Sequence, residues 1–274
     1  MESRPVRWIL RGASGLVILF LYLPLALVVL YAFGKGRGGS WPPQLFTTDW
    51  FEVAWNNSDL RPALGNSIRA GFAATGIALV LGTLASIAVH RFSFFGREAI
   101  SFFLVLPIAL PGIVSALALS SAVDYAHSVF GVNFGLFTII VGHATFCVVV
   151  VFNNVIARLR RTPGNLIEAS MDLGGDGWQT FRYVTFPTMR SALIAGALLA
   201  FGLSFDEIVV TIYLSGTTST LPLWIFNNLQ RAVNRPIVNV VAMVVLIVSI
   251  IPVYIAQRLA GGTLGVSRRH DPAA

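Results

Sequence analysis

Six apolar runs, each about as long as a lipid bilayer is thick, recur along this chain of 274 residues, and no other feature restricts its fold so strongly. A hydrocarbon core of roughly 30 Å needs about 20 apolar residues at a helical rise of ~1.5 Å. Runs of that size occupy residues 16–33, 65–90, 98–121, 134–157, 191–215 and 238–259. In lipid, backbone N–H and C=O groups must find partners within the chain, so an open set of spans has to be helical. The expectation is an all-α membrane protein with six transmembrane helices and a single membrane domain over residues 1–274. A mean hydropathy of +0.76, with only 11% charged residues, excludes a soluble domain that covers its core with polar surface.

Arg4, Arg7 and Arg11 precede the first run in the manner of a signal peptide. Its apolar core is too long and no small-x-small cleavage site follows, so it reads as a retained helix bent at Pro24. Residues 34–62 read as an external loop in which Trp50, Phe51 and Trp55 form a short helix at the lipid headgroups, with Trp41 and Trp224 as further interfacial anchors. Pro107 and Pro111 in the third run, and the Gly and Ala of the second, suit kinked, closely packed helices. Basic residues set the orientation, because Lys and Arg near span ends stay in the cytoplasm. One side collects Arg4, Arg7, Arg11, Arg91, Arg97, Arg158, Arg160, Arg161, Arg182, Arg190, Arg258, Arg268 and Arg269; the other holds Lys35, Arg37, Arg61, Arg69, Arg231 and Arg235. Both termini are therefore expected inside. The net charge of +7 is explained by this bias, and basic patches with interleaved aromatics that would suit nucleic acid are missing.

The segment between the fourth and fifth runs is the long polar interval in the second half of the chain. Asn165 with Glu168 three residues on reads as a helix start, Pro163 lies just upstream, and Gly174-Gly175-Asp176-Gly177 reads as a stop. The expectation is a two-turn helix, a glycine turn and a second short helix over about 178–183. Ile167 and Met171, four apart, share an apolar ridge; Glu168 and Asp172 share a charged one. Residues alone leave open whether this is a docking element or an ordinary cytoplasmic loop.

The order Glu168-Ala169-Ser170, three residues, Gly174, nine residues, Val184, one residue, Phe186-Pro187 resembles the EAA loop, EAA-x3-G-x9-I-x-L-P, of integral membrane permease subunits of binding-protein-dependent bacterial ABC importers. Ser170, Val184 and Phe186 stand for the usual Ala, Ile and Leu. The run from Ser204 to Val210, followed by Ser215-Gly216 and Leu221-Pro222, resembles the spermidine/putrescine-type branch. That resemblance implies a type I importer permease fold in the bacterial inner membrane. Residues 160–187 would form the loop that docks on an ATPase, with Ile167, Glu168, Ala169, Met171 and Gly174 as coupling positions. It implies two ATPase subunits, a second related six-helix permease and an external solute-binding protein. No cofactor is expected in this chain, ATP and magnesium being held by the ATPase. The single lysine, in Gly34-Lys35-Gly36-Arg37, lacks the spacing of a phosphate-binding loop.

Asp206 and Glu207 fall deep in the fifth run, where an ionised acid costs about 2.5–3.5 kcal/mol without water or a partner. Asp206 is 16 residues beyond Arg190, roughly 24 Å of helix, which places it in the outer half. Two readings stand. The carboxylates line a pathway for a cationic or amine-bearing solute, or Ser204-x-x-Glu207 is a capping box that restarts a helix broken near Gly202. Asn153 and Asn154 suit hydrogen bonds between helices. His143 and Cys147, on one face, are too few for a metal and read as a buried histidine bonded to a neighbouring helix; a lone cysteine gives no disulfide framework. Two further classes remain: a self-contained secondary transporter, and a rhomboid-like intramembrane protease. The second would use a Ser–His pair in late spans or, less plausibly by position, Gly12-Ala13-Ser14-Gly15.

Overall fold

The computed structural model describes residues 4–36, 43 and 45–261; Arg37, Trp41, Arg268 and Arg269 lie outside them. The helices are α1 (Arg4–Ala32), α2 (Asp49–Trp55), α3 (Leu60–Arg91), α4 (Arg97–Ala109), α5 (Gly112–Phe130), α6 (Leu136–Arg161), α7 (Asn165–Asp172), α8 (Gly177–Thr180), α9 (Phe186–Asp206), α10 (Val209–Leu214), α11 (Leu221–Leu229) and α12 (Arg235–Gly261). A π turn over Phe181–Thr185 joins α8 to α9. Among the described residues the only β feature is one antiparallel bridge, Gly34 to Phe46. Five stretches are long and apolar enough to cross a membrane: Val6–Ala32, Leu60–Arg91, Gly112–Phe130, Leu136–Arg161 and the rod Gly177–Asp206. The apolar Arg235–Ile250 of α12 is the sixth.

The chain divides into two compact units, residues 1–61 with 224–250, and residues 62–223 with 251–274. In the first, α1 continues unbroken past Pro24 and is exposed from Val6 to Leu25, as a lipid-facing or partner-facing helix must be. The turn after it is tied to α2 by Trp50 Nε1, which donates to the Gly34 carbonyl at 2.9 Å, and by Phe33 and Phe51, whose ring centroids are 5.2 Å apart. Arg61 covers the Trp55 ring at 4.8 Å and donates to its carbonyl at 3.0 Å, placing a cation at the negative end of α2. Trp224 differs from expectation: it is buried, so it is a packing residue and no surface anchor.

The second unit is built around α6. Val151, Val155 and Leu159 on it pack with Met189 and Ala200 of α9 in one buried cluster. α3 turns a stripe of small residues inward, Ala63, Ser67, Ala70, Gly71, Ala74, Ala78 and Gly82 among them. This is the small-residue pattern that lets membrane helices approach closely. At Gly82 the approach is to backbone: a Cβ there would stand 2.9 Å from the Val148 carbonyl oxygen. One turn on, the single Ser86 hydroxyl proton is shared between the Gly82 carbonyl of its own helix at 2.7 Å and the Phe152 carbonyl of α6 at 3.1 Å.

Two of the six expected spans are discontinuous. The third, expected as one helix over 98–121, is split into α4 and α5. Proline cannot continue the bonding ladder and disfavours helical backbone in the residue before it; accordingly Leu110, before Pro111, is extended (φ −80, ψ 147). The fifth, expected over 191–215, starts earlier and stops at Asp206, and the chain resumes as α10. The separate helix expected at 178–183 is instead the foot of this rod. Pro187 has no N–H to give and its ring crowds the carbonyl four residues back, and the ladder just before it widens to a π turn in which Phe186 N–H bonds the Phe181 carbonyl.

Candidate functional site

Two places combine local irregularity with chemistry: the elbow from α7 to α8, and the break between α9 and α10.

The elbow is held by short-range bonds. α7 ends in a Schellman motif, with Gly175 N–H on the Ser170 carbonyl and Gly174 N–H on the Met171 carbonyl, both at 2.9 Å. Gly174 sits at φ +83, a conformation a β-carbon disfavours, and a Cβ on Gly175 would lie 2.8 Å from the Ser170 carbonyl oxygen. The chain then restarts on a reciprocal capping box: Asp176 Oδ1 accepts from Gln179 N–H at 2.7 Å, and Gln179 Oε1 accepts from Asp176 N–H at 3.0 Å. Asp-x-x-Gln ahead of an apolar run was a readable signal, missed because the preceding glycines were read as a stop. The Ser170 and Thr180 hydroxyls, 3.0 Å apart, link the two arms.

Glu168, Ala169, Met171 and Gly174 are all exposed here. Glu168 makes no cap; the N-cap position is Gly164, without a side-chain bond. Ile167 is half-buried while Met171 is exposed, so the two do not present an equal ridge. The exposed apolar line is instead Leu166, Ala169 and Leu173, which with Gly174, Tyr183 and Val184 lines an open groove. Leu173, at 90% exposure, is the residue the sequence reading passed over.

The break lies three residues beyond the capping box expected at Ser204. Ser204 remains inside α9, Glu207 is extended (φ −72, ψ 118), and α10 begins at Val209. Glu207 serves its own backbone there, its Oε1 accepting from Val210 N–H at 3.0 Å. The Asp206 carboxylate is exposed at the C-terminal end of α9. His143 on α6 faces this turn, with Nδ1 2.8 Å from Ser204 Oγ and Nε2 3.0 Å from Thr211 Oγ1. Thr211 in turn donates to the Glu207 carbonyl at 2.8 Å. α10 is clamped at its far end too, where Thr138 Oγ1 donates to the Leu214 carbonyl at 2.7 Å.

Both His143 nitrogens are thus taken by hydroxyls, and Cys147 Sγ points to the Ala200 carbonyl at 3.3 Å. Among the described residues no three potential ligands gather for a metal. The Ser–His pairing that a protease would need does occur, at His143 and Ser204. Ser204 is 3% and His143 1% exposed, however, leaving no room for a peptide at the hydroxyl. Asn154 bonds the Val150 carbonyl of its own helix at 2.8 Å, not a neighbouring one, and Asn153 is exposed.

A family model described as "Binding-protein-dependent transport system inner membrane component" matches residues 78–262. The chain is 32% identical over 254 residues to the spermidine/putrescine transport system permease protein PotC of Haemophilus influenzae, covering 92% of this chain and 96% of that one. It is 31% identical over 259 residues to the putrescine transport system permease protein PotI of Escherichia coli K12, covering 90% and 89%. Its fold is that of a chain in the crystal structure of a bacterial ABC transporter involved in import of the acidic polysaccharide alginate, with a TM-score of 0.73 at 15% identity, covering 94% of this chain and 98% of that one. A second structure of such an alginate transporter, in complex with its alginate pentasaccharide-bound periplasmic protein, gives 0.70 at the same identity. Six membrane helices, the elbow sequence and these likenesses agree: the chain belongs to the binding-protein-dependent inner membrane components, as an ABC importer permease subunit of the spermidine/putrescine-type branch.

Proposed function

We propose that this permease forms half of the pathway for a small cationic organic solute, polyamine-like, in an importer driven by ATP and working by alternating access. The carrying observation is that α9 stops at Asp206, the last residue of the apolar rod Gly177–Asp206 and within the fifth apolar run of the sequence, leaving an exposed carboxylate at a helix C-terminus. Carboxylate and unpaired terminal carbonyls together favour a positive charge. Acids inside membrane spans are expensive and commonly mark a solute or ion path. Relatives named for spermidine and putrescine transport support the same solute class. Glu207 contributes its charge to the site while its Oε1 caps α10.

Two ATPase subunits, which bind ATP and magnesium, dock on the cytoplasmic elbow through Ile167, Glu168, Ala169, Met171 and Gly174, with Leu173 as an added contact. A second, related six-helix permease supplies the other half of the path. A solute-binding protein docks on the external loops at residues 34–62 and 216–237, and both chain termini are cytoplasmic. ATP binding draws the coupling helices together and turns the bundles outward; hydrolysis returns them inward. The test is uptake by proteoliposomes holding both permeases, the ATPases and the loaded binding protein. Radiolabelled putrescine or spermidine should accumulate only with ATP inside. Uptake that persists with the ATPases removed would overturn the reading in favour of a secondary transporter.

A further inference from the structure

The two helix breaks differ in what enforces them. Pro111 forces the one between α4 and α5. Between α9 and α10, the sequence Asp206-Glu207-Ile208 contains neither proline nor glycine, and Ile208 has helical backbone (φ −111, ψ −39). Nothing local prevents α9 from continuing. A helix interrupted in a low-dielectric interior must find new partners for the groups it frees, and here those partners come from side chains. Glu207 takes the Val210 N–H, Thr211 takes the Glu207 carbonyl, and His143 bonds one hydroxyl on each side of the break.

We infer that His143 is the positioning residue of this break, holding the C-terminal end of α9 and the start of α10 at a fixed angle and thereby setting where the Asp206 carboxylate faces. The bonding has a direction. The single Thr211 hydroxyl proton goes to the Glu207 carbonyl, so Thr211 accepts from His143 Nε2–H; Nδ1 of the neutral ring then accepts from the Ser204 hydroxyl. Removing the imidazole leaves Ser204 and Thr211 buried without that partner and frees the angle. The inference rests on the reading that Asp206 lines the solute path.

The experiment uses the assembled importer with Cys147→Ala, and spin labels on cysteines replacing Leu203 and Ile212, both exposed and on opposite sides of the break. The distance distribution between them should be narrow with His143 present. It should broaden in His143→Leu and in the near-isosteric Thr211→Val, and narrow again in His143→Gln, whose amide can donate to Thr211. Solute moved per ATP should fall about fivefold or more in His143→Leu while ATPase subunits remain bound. An unchanged distribution in His143→Leu overturns the inference, and so does a broadened one with unchanged solute per ATP. If the unsubstituted importer moves no amine, the pathway reading fails, and the label distances still decide whether His143 holds the break.

Discussion

The elbow and the break are both interruptions that expose a helix end, yet they are built oppositely. Every bond that shapes the elbow joins residues close in sequence: Gly175 to Ser170, Gly174 to Met171, Asp176 to Gln179. Its apolar side chains stay outside, with Leu173 and Met171 exposed. The break depends on His143, 61 residues from Ser204 and 68 from Thr211, and on groups that are all buried except the acids. A locally encoded element can give its surface to a partner. A break inside the bundle must spend its polar groups on holding itself, and of the two acids there Asp206 is the exposed one.

That contrast predicts that substitutions at the elbow cost partner binding, whereas those behind the break cost stability. The largest effect is expected outside both rules, at Asp206→Asn: a charged hydrogen bond is worth about 1.5–3 kcal/mol, so uptake should fall roughly ten- to hundredfold at unchanged expression. Normal uptake would return both acids to a purely structural role. At the elbow, Leu173→Ala removes apolar surface worth about 2 kcal/mol once buried, roughly thirtyfold in ATPase affinity, measured by titrating ATPase onto the detergent-solubilised permease pair. A drop in melting temperature instead of affinity would break the comparison. Gly174→Val places a β-branched residue at φ +83, costing about 1–2 kcal/mol, near tenfold in the same titration. Behind the break, Thr211→Val deprives a buried donor of its partner, about 1–3 kcal/mol, and should lower the melting temperature of the purified complex by several degrees without loosening the ATPase. The smallest effect is Glu207→Ala, loss of one cap, about 1 kcal/mol on the same melting curve.

The sequence showed these regions unevenly. The elbow's helix and its glycine turn were legible because capping and left-handed glycine are local rules. The errors there were local also: Glu168 was assigned a cap it does not make, and the Asp176–Gln179 box was overlooked. The apolar runs located the six spans for the same reason, since bilayer thickness is fixed, whereas Pro107 and Pro111 read as kinks in one helix that the structure breaks in two at Pro111. At the fifth span the two acids and the Ser204-x-x-Glu207 pattern are visible in the sequence, but the bonds that join this turn to α6 are not. Ser204, Glu207 and His143 each stand out along the chain, but nothing in it pairs His143 with both Ser204 and Thr211, and the break expected near Gly202 falls at Glu207 instead.

By itself, then, the sequence determined the class of protein, the number of spans, the elbow and the presence of two adjacent acids within the fifth apolar run, because each follows from hydropathy or from bonds within a few residues. Tertiary structure alone decided how the two sides of the break at Asp206 are tied together. Backbone preference there permits a continuous helix; Glu207 and Thr211 take up the freed N–H and carbonyl of the interrupted one from within the turn, and only the packing of α6 against α9 and α10 adds His143, which joins Ser204 to Thr211 across it.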